Sequence, residues 1–206
     1  MSKGAVTLNK HIQKIEDMLR GNNGVVTAAA VRAAGISPSY LSQMVESGKL
    51  NRPERGIYVL PSVYVDEMYT LFAKNKDIVF SHLSALYLHD LTDRTPLKLS
   101  VTLPRTRNAS KLIKTGLVEI KRSNEQTHSM GLIWMTSPSG FQIPVYDMER
   151  TVCDIVKNRK HTDPQILSDA LKSYAKRKDK NLTQLAIYAK TLKAETPLRG
   201  YMEVLL

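Results

Sequence analysis

A single cysteine, Cys153, stands in 206 residues. One thiol makes no intramolecular disulfide and no multi-cysteine zinc site, as expected of a protein in a reducing cytoplasm. It falls in an apolar helical run, where a buried core position is the ordinary reading. Long hydrophobic runs are missing too: none reaches the ~20 residues that span a bilayer, and the first residues lack the apolar core of a signal peptide. No internal repeat or low-complexity segment is visible, and no glycine-rich loop with its lysine makes a phosphate cradle; 137–140 is only a turn. Acid is scarce, with 19 Asp and Glu against 30 Lys and Arg, a net charge of +11. Such a balance points to nucleic acid or an anionic surface as partner and says nothing about fold. What is present is a 42% share of hydrophobic residues, enough for a folded core and two domains.

The most informative stretch is 24–60. Thr27 is placed to cap a helix whose alanine-rich body, 28–34, has high helix propensity and side chains small enough for close crossing. Gly35 enters a left-handed turn at no steric cost, and Ile36 puts an apolar side chain in the corner. Ser37 is a candidate N-cap with Pro38 at the first helical position, where no amide hydrogen is needed. That second helix is expected to run to about Ser47 and to stop at Gly48. Leu41, Met44 and Val45 share its inner face, which leaves Ser39, Tyr40, Ser42 and Gln43 outward. Hydroxyls suit phosphates and base edges, and a Gln carboxamide holds adenine through a bidentate pair.

Residues 50–59 then predict a strand, a turn and a strand: a wing, with Arg52 and Arg55 near its tip and Lys49 leading into it. This is the order of a winged helix-turn-helix, in which the N-terminal residues of the second helix read bases. The candidate DNA contacts are Ser37, Ser39, Tyr40, Ser42, Gln43, Lys49, Arg52 and Arg55. The competing reading is a small helical domain whose glycine turn is only a connection.

Leu8, Ile12, Ile15 and Leu19 form one stripe, a first helix that completes the winged-helix core. Pro61 marks a boundary, giving domains at 1–62 and 63–206. Beyond it the pattern predicts a linking helix at 63–73, a strand at 78–81 and a helix at 82–89. Residues 97–103 alternate apolar and polar, the period of a half-buried strand. Further strands are expected at 118–121, 132–135 and 142–145, then helices at 147–157, 163–176, 183–193 and 198–205. The fold class is α+β: an N-terminal winged helix-turn-helix followed by a larger α+β domain with a mixed sheet and a helical C-terminus.

Charge is unevenly spread: 1–62 carries +4 and the remainder +7. Segment 94–122 holds eight basic residues and one acid, Glu119; segment 172–193 holds seven and only Asp179. A solvated face explains such runs, and so does a phosphate-contacting surface built from Arg105, Arg107, Lys111 and Lys114.

Three stretches together resemble the AbiEi family, the antitoxins of the abortive-infection AbiE toxin–antitoxin systems. They are the winged helix with its Arg55-Gly56-Ile57-Tyr58-Val59 strand, the run from Phe80 through His82, His89 and Asp90 to Pro96, and the run Val145-Tyr146-Asp147-Met148-Glu149-Arg150-Thr151-Val152-Cys153-Asp154-Ile155. The resemblance spans nearly the whole chain. It implies an N-terminal domain that represses its own operon by binding double-stranded operator DNA. It also implies a C-terminal domain that counters a nucleotidyltransferase-like toxin without a stable complex between the two. Physically, the second stretch reads as scaffold, with Ser81 capping a helix and Leu83, Leu86 and Leu91 packing inward. In the third, Asp147 sits at a helix start, where a carboxylate favours the positive dipole end, and Arg150 is expected to pair with Asp147 or Asp154.

No catalytic, metal or cofactor set stands out. Glu119 and Lys121 have the Glu-x-Lys spacing of a Mg²⁺-dependent nuclease, which would need Asp90 or Asp93 as second carboxylate. His82 and His89 share a helix face without a visible third ligand. The readings carried forward are a DNA-binding repressor and antitoxin acting as two copies on an inverted repeat, the nuclease, and an interaction protein that docks its toxin through the C-terminal helices.

Overall fold

A computed structural model describes residues 3–113 and 116–205, with side chains described from Lys10 onward except at 111, 204 and 205. The chain divides into two units, 1–75 with 138–141 and 76–137 with 142–206. The first thus extends past the boundary expected at Pro61. The reason is the helix expected at 63–73. It begins only at Glu67, because the Asp66 carboxylate accepts the Tyr69 N–H at 2.7 Å and fixes the start, and Tyr69 donates its company to the first unit: its ring stacks on Phe141 at 4.3 Å.

In the first unit the elements are α1 (Lys3–Arg20), β1 (Val25–Thr27), α2 (Ala28–Ala33), α3 (Ser39–Glu46), β2 (Asn51–Glu54), β3 (Ile57–Val59) and α4 (Glu67–Lys74). The strands form an antiparallel sheet in the order β1-β3-β2. β1 is too short to show a period and was not expected; Val25, Val26 and Thr27 pair with Val59, Tyr58 and Ile57. The core joins Ile15 and Leu19 of α1 to Val26, Val31, Ile36, Leu41, Met44, Leu50 and Tyr58. The α1 stripe is therefore seated as expected at Ile15 and Leu19, Ile12 is half-buried, and Leu8 lies outside the described side chains.

In the second unit the elements are β4 (Val79–Phe80), α5 (His82–Leu88), β5 (Leu99–Pro104), α6 (Ser110–Ile113), β6 (Val118–Ser123), α7 (Glu125–His128), β7 (Leu132–Thr136), β8 (Gln142–Tyr146), α8 (Met148–Lys157), α9 (Pro164–Lys176), α10 (Leu182–Leu192) and α11 (Glu195–Leu205). The sheet runs β6-β5-β4-β8-β7. It is mixed: β6 is parallel to β5 and β4 to β8, while β4–β5 and β7–β8 are antiparallel. The α+β class with a mixed sheet and a helical C-terminus is what the pattern predicted. The short helices α6 and α7 were not, since one turn carries no amphipathic signal.

Every residue of α8 from Met148 to Val156 is buried, and α5, α9, α10 and α11 all pack against it. Cys153 is 0% exposed, and burial pushes its thiol up to about 12. Polar members of α8 are satisfied one by one. Asp147 caps the helix, accepting the Arg150 N–H at 2.7 Å and the Tyr188 hydroxyl at 2.9 Å. Glu149 accepts from the Tyr174 hydroxyl at 3.2 Å and the Asn181 N–H at 2.8 Å. Arg150 chooses Asp154 over Asp147, with Nε 3.0 Å from Oδ2. Its Nη1 donates to the carbonyls of Thr127 and Met130, and its guanidinium lies 4.3 Å over the Tyr146 ring. The third sequence stretch is thus the structural hub of this unit.

Candidate nucleic-acid interface

Glycines set the geometry of the helix-turn-helix. Thr27 caps α2 as expected, its hydroxyl accepting the Ala30 N–H at 3.1 Å. At the other end Gly35 takes φ +77°, its N–H donates to Arg32 O, and the Ile36 N–H reaches back to Val31 O. This is a Schellman ending, in which the buried Ile36–Val31 contact closes the turn. α3 ends the same way at Gly48, φ +74°, with Gly48 and Lys49 donating to Val45 O and Met44 O. Helix-ending chemistry repeated at Gly35 and Gly48 therefore holds α3 at both sides.

The start of α3 departs from expectation. Ser37 is not its N-cap; the helix begins at Ser39 with Pro38 in the cap position and no capping side chain. Ser37 Oγ instead lies 2.8 Å from Ser39 Oγ and accepts the Ser39 N–H at 3.3 Å, so these two hydroxyls are paired. Leu41 and Met44 are buried and Val45 half-buried, which turns Ser42 and Gln43 outward with Ser39. Tyr40 is only half exposed: its ring stacks on His11 of α1, centroids 5.3 Å apart. That ring packs at the rim of the outward face of α3. His11 escaped the sequence reading because it sits 29 residues away. Lys14 escaped it too; its ammonium donates to Ala34 O at 3.0 Å and ties α1 to the end of α2.

The wing forms where expected. Glu54 pairs with Ile57 across a two-residue turn, Arg55-Gly56, and Gly56 takes φ +86°. A register shift between Asn51 and Glu54 accommodates Pro53 on this edge strand. Arg52 lies over the Tyr58 ring at 5.6 Å, while Arg55 and Lys49 are exposed. The wing's one acid, Glu54, is paired with Lys74 of α4, so Arg52 and Arg55 are unopposed by it.

In the second unit the basic cluster divides. Arg105 is exposed, and its side chain has no protein partner among the described residues. Arg107 is exposed but faces Asp77 at 3.3 Å. The Arg122 guanidinium is spent on the carbonyls of Pro104 and Arg107. Lys114 lies outside the described residues, and so does the side chain of Lys111. In the 172–193 cluster, Lys180 closes α9 by donating to Ala175 O and Arg177 O, and Arg177 pairs with Asp179.

The candidates for metal chemistry are kept apart. Glu119 is bound to Lys121 at 2.8 Å, and among the described residues no three His, Cys, Asp or Glu side chains come together as a metal site. His89 Nε2 is bonded to the Tyr146 carbonyl at 2.7 Å, so it is not available to pair with His82. Ser81 does not cap α5; its hydroxyl accepts from Thr102 instead.

A helix-turn-helix closed by two glycine endings, backed by α1 and followed by a basic hairpin, defines the first unit as a winged helix-turn-helix. Residues 13–61 match the family model described as transcriptional regulator, AbiEi antitoxin. That span runs from within α1 to just past the wing, and it supports a role as antitoxin and transcriptional regulator. Among curated proteins, none matches the chain. No helix of the described residues is long and apolar enough to cross a membrane.

Proposed function

We propose that the protein is a cytoplasmic DNA-binding autorepressor and antitoxin of a bacterial toxin–antitoxin operon. Residues 1–62 bind the operator, and 63–206 counter a nucleotidyltransferase-like toxin without a stable complex. The observation that carries the DNA reading is the outward face of α3, where Ser39, Ser42 and Gln43 stand exposed between glycine endings and beside a wing whose acid is neutralised. In the major groove Gln43 reads a base edge, Ser37, Ser39 and Ser42 touch base edges or phosphate, and Lys49, Arg52 and Arg55 grip the backbone or minor groove. Tyr40 contributes by holding the start of α3 against His11 rather than as a free reader.

One reading helix covers few base pairs, so two copies on an inverted repeat are expected. Arg105 adds a phosphate contact from the second unit, and Arg107 does so only by leaving Asp77. The protein acts by binding, not by catalysis. The rival nuclease reading would need Glu119 to leave Lys121 and Ser100, which hold it at 2.8 and 3.2 Å.

A reporter fused to the operon's own promoter tests the repressor half: the full chain silences it, and Gln43→Ala with Arg55→Ala releases it. Co-expression with the toxin tests the other half. Rescue of growth without co-purification supports the antitoxin reading, whereas a stable co-purifying pair would favour direct docking through the C-terminal helices.

A further inference from the structure

Two stretches that operator binding leaves unused, the start of α5 and the Glu119-Ile120-Lys121 strand, meet on one face of the second unit's sheet. Parallel register sets Ser100 beside Glu119 and Thr102 beside Lys121, and strand alternation puts all four on the same face. Ser81 and Ser84 close on them from the β4–α5 corner. Ser84 Oγ accepts the Ser100 N–H at 2.8 Å, and Thr102 Oγ1 donates to Ser81 Oγ at 2.9 Å. Ser81, Ser84 and Ser100 are fully buried, in a place where a small core ordinarily selects Val, Ile or Leu.

His82 completes the set. It takes φ +49°, the left-handed region that a residue with a side chain rarely adopts, and such strain concentrates at functional sites. The imidazole is nine-tenths buried, with Nδ1 3.1 Å from Ser81 Oγ. With Ser81 Oγ accepting from Thr102, the Ser81 proton is free to go to His82 Nδ1, and in that tautomer the ring carries its hydrogen on Nε2. Burial lowers the His82 pKa, which favours the neutral ring. Among the described residues Nε2 makes no hydrogen bond, and the fully buried unpartnered side-chain atom is His11 Nδ1.

The charges facing the ring are Asp154, Lys121, Glu119 and Arg150. Asp154 and Arg150 are committed to each other, whereas the side chains of Glu119 and Lys121 are 43% and 23% exposed. Lys121 has three donors, of which Glu119 takes one at 2.8 Å; Ser100 donates to Glu119 at 3.2 Å.

We propose that this face binds the phosphate and adjacent sugar hydroxyl of a nucleotide. The Lys121 ammonium and the His82 Nε2–H hold the phosphate, and Glu119, steadied by Ser100, accepts the hydroxyl. The carboxylate beside the ammonium repels a bare anion, so the set favours a ligand that presents a hydroxyl donor next to its phosphate. Operator binding uses none of these side chains: its residues are those of the first unit, with Arg105 and Arg107 of the second.

The test follows the histidine ring nitrogens of the full chain by NMR while AMP, GMP, CMP, UMP, a short single-stranded RNA and inorganic phosphate are added in turn. The free protein shows His82 as the Nε2–H tautomer. Mononucleotides shift its ring signals to saturation, inorganic phosphate does so more weakly, and saturation by the RNA alone assigns the same chemistry to a strand. Lys121→Met weakens nucleotide binding about ten-fold through loss of a charge-assisted bond, and Glu119→Gln narrows the gap between nucleotide and phosphate. Both variants alter half-open side chains, and Trp134 fluorescence verifies that they fold. Unmoved His82 signals with every probe, or an undiminished response in Lys121→Met, overturns the proposal.

Discussion

Replacing Arg150 by Met tests the hub of the second unit. Arg150 is 3% exposed and Asp154 7%. The substitution keeps most of the apolar stem but strands three acceptors: Asp154 Oδ2, 3.0 Å from the lost Nε, and the carbonyls of Thr127 and Met130, 2.7 and 3.0 Å from the lost Nη1. Leaving one member of a buried ion pair unpaired costs about 3–5 kcal/mol. Against a typical domain stability of roughly 5–15 kcal/mol, that is a third or more of the total. Removing the stranded charge as well, in Arg150→Met with Asp154→Leu, recovers part of the loss; the two carbonyls remain unpaired, so recovery is incomplete. The chain's one tryptophan, Trp134, lies in β7, so urea unfolding followed by its fluorescence reports the second unit alone. A single-variant loss below about 1 kcal/mol, or a double variant whose loss equals the sum of the two singles, would refute this account of the hub.

Gly131 takes φ +74°, and a β-carbon there would sit 2.8 Å from Arg150 Cβ and 3.2 Å from the Asp147 carboxylate. Gly131→Ala therefore costs more than the ~1 kcal/mol of backbone strain alone, read in the same fluorescence melt; a loss no larger than for Gly35→Ala, where a β-carbon meets nothing within 4 Å, would contradict it. Burial lowers the pKa of both His82 and His89 below the ordinary 6.5. A base with a depressed folded value binds fewer protons folded than unfolded, so stability is full above about pH 6.5 and declines as pH falls through and below it. Melts of the second unit at about pH 7.5 and 5.5 should show that decline, and His89→Gln should reduce it; a rise on acidification would reverse the assignment.

Much of the first unit was legible because helix endings are written locally. Thr27, Gly35 and Gly48 act within three or four residues of where they stand, and Arg55-Gly56 needs only its own turn. What stayed hidden depends on partners distant in the chain. Tyr40 stacks on His11, far away in the chain, and β1 is three residues long with meaning only beside β3. Ser81 has the residue type of a cap, but Thr102 takes its hydroxyl. For Arg150, proximity along the helix left Asp147 and Asp154 as rivals, and the choice fell to Asp154 because Asp147 is occupied by the Arg150 N–H and Tyr188. The charge clusters were hardest to read: Arg107 and Arg177 meet carboxylates, and Arg122 and Lys180 donate to backbone carbonyls, which counting could not reveal.

The most direct measurement of the central claim is fluorescence anisotropy of the full chain on the promoter DNA of its own operon and on a scrambled duplex, across a salt series. The account predicts tighter binding to the promoter. Gln43→Ala should shrink that preference by about 1–3 kcal/mol. Arg55→Ala should weaken both duplexes alike and lower the salt slope by about one counterion. Equal affinity of the wild-type chain for promoter and scrambled DNA, or equal losses on both duplexes in Gln43→Ala, would contradict it.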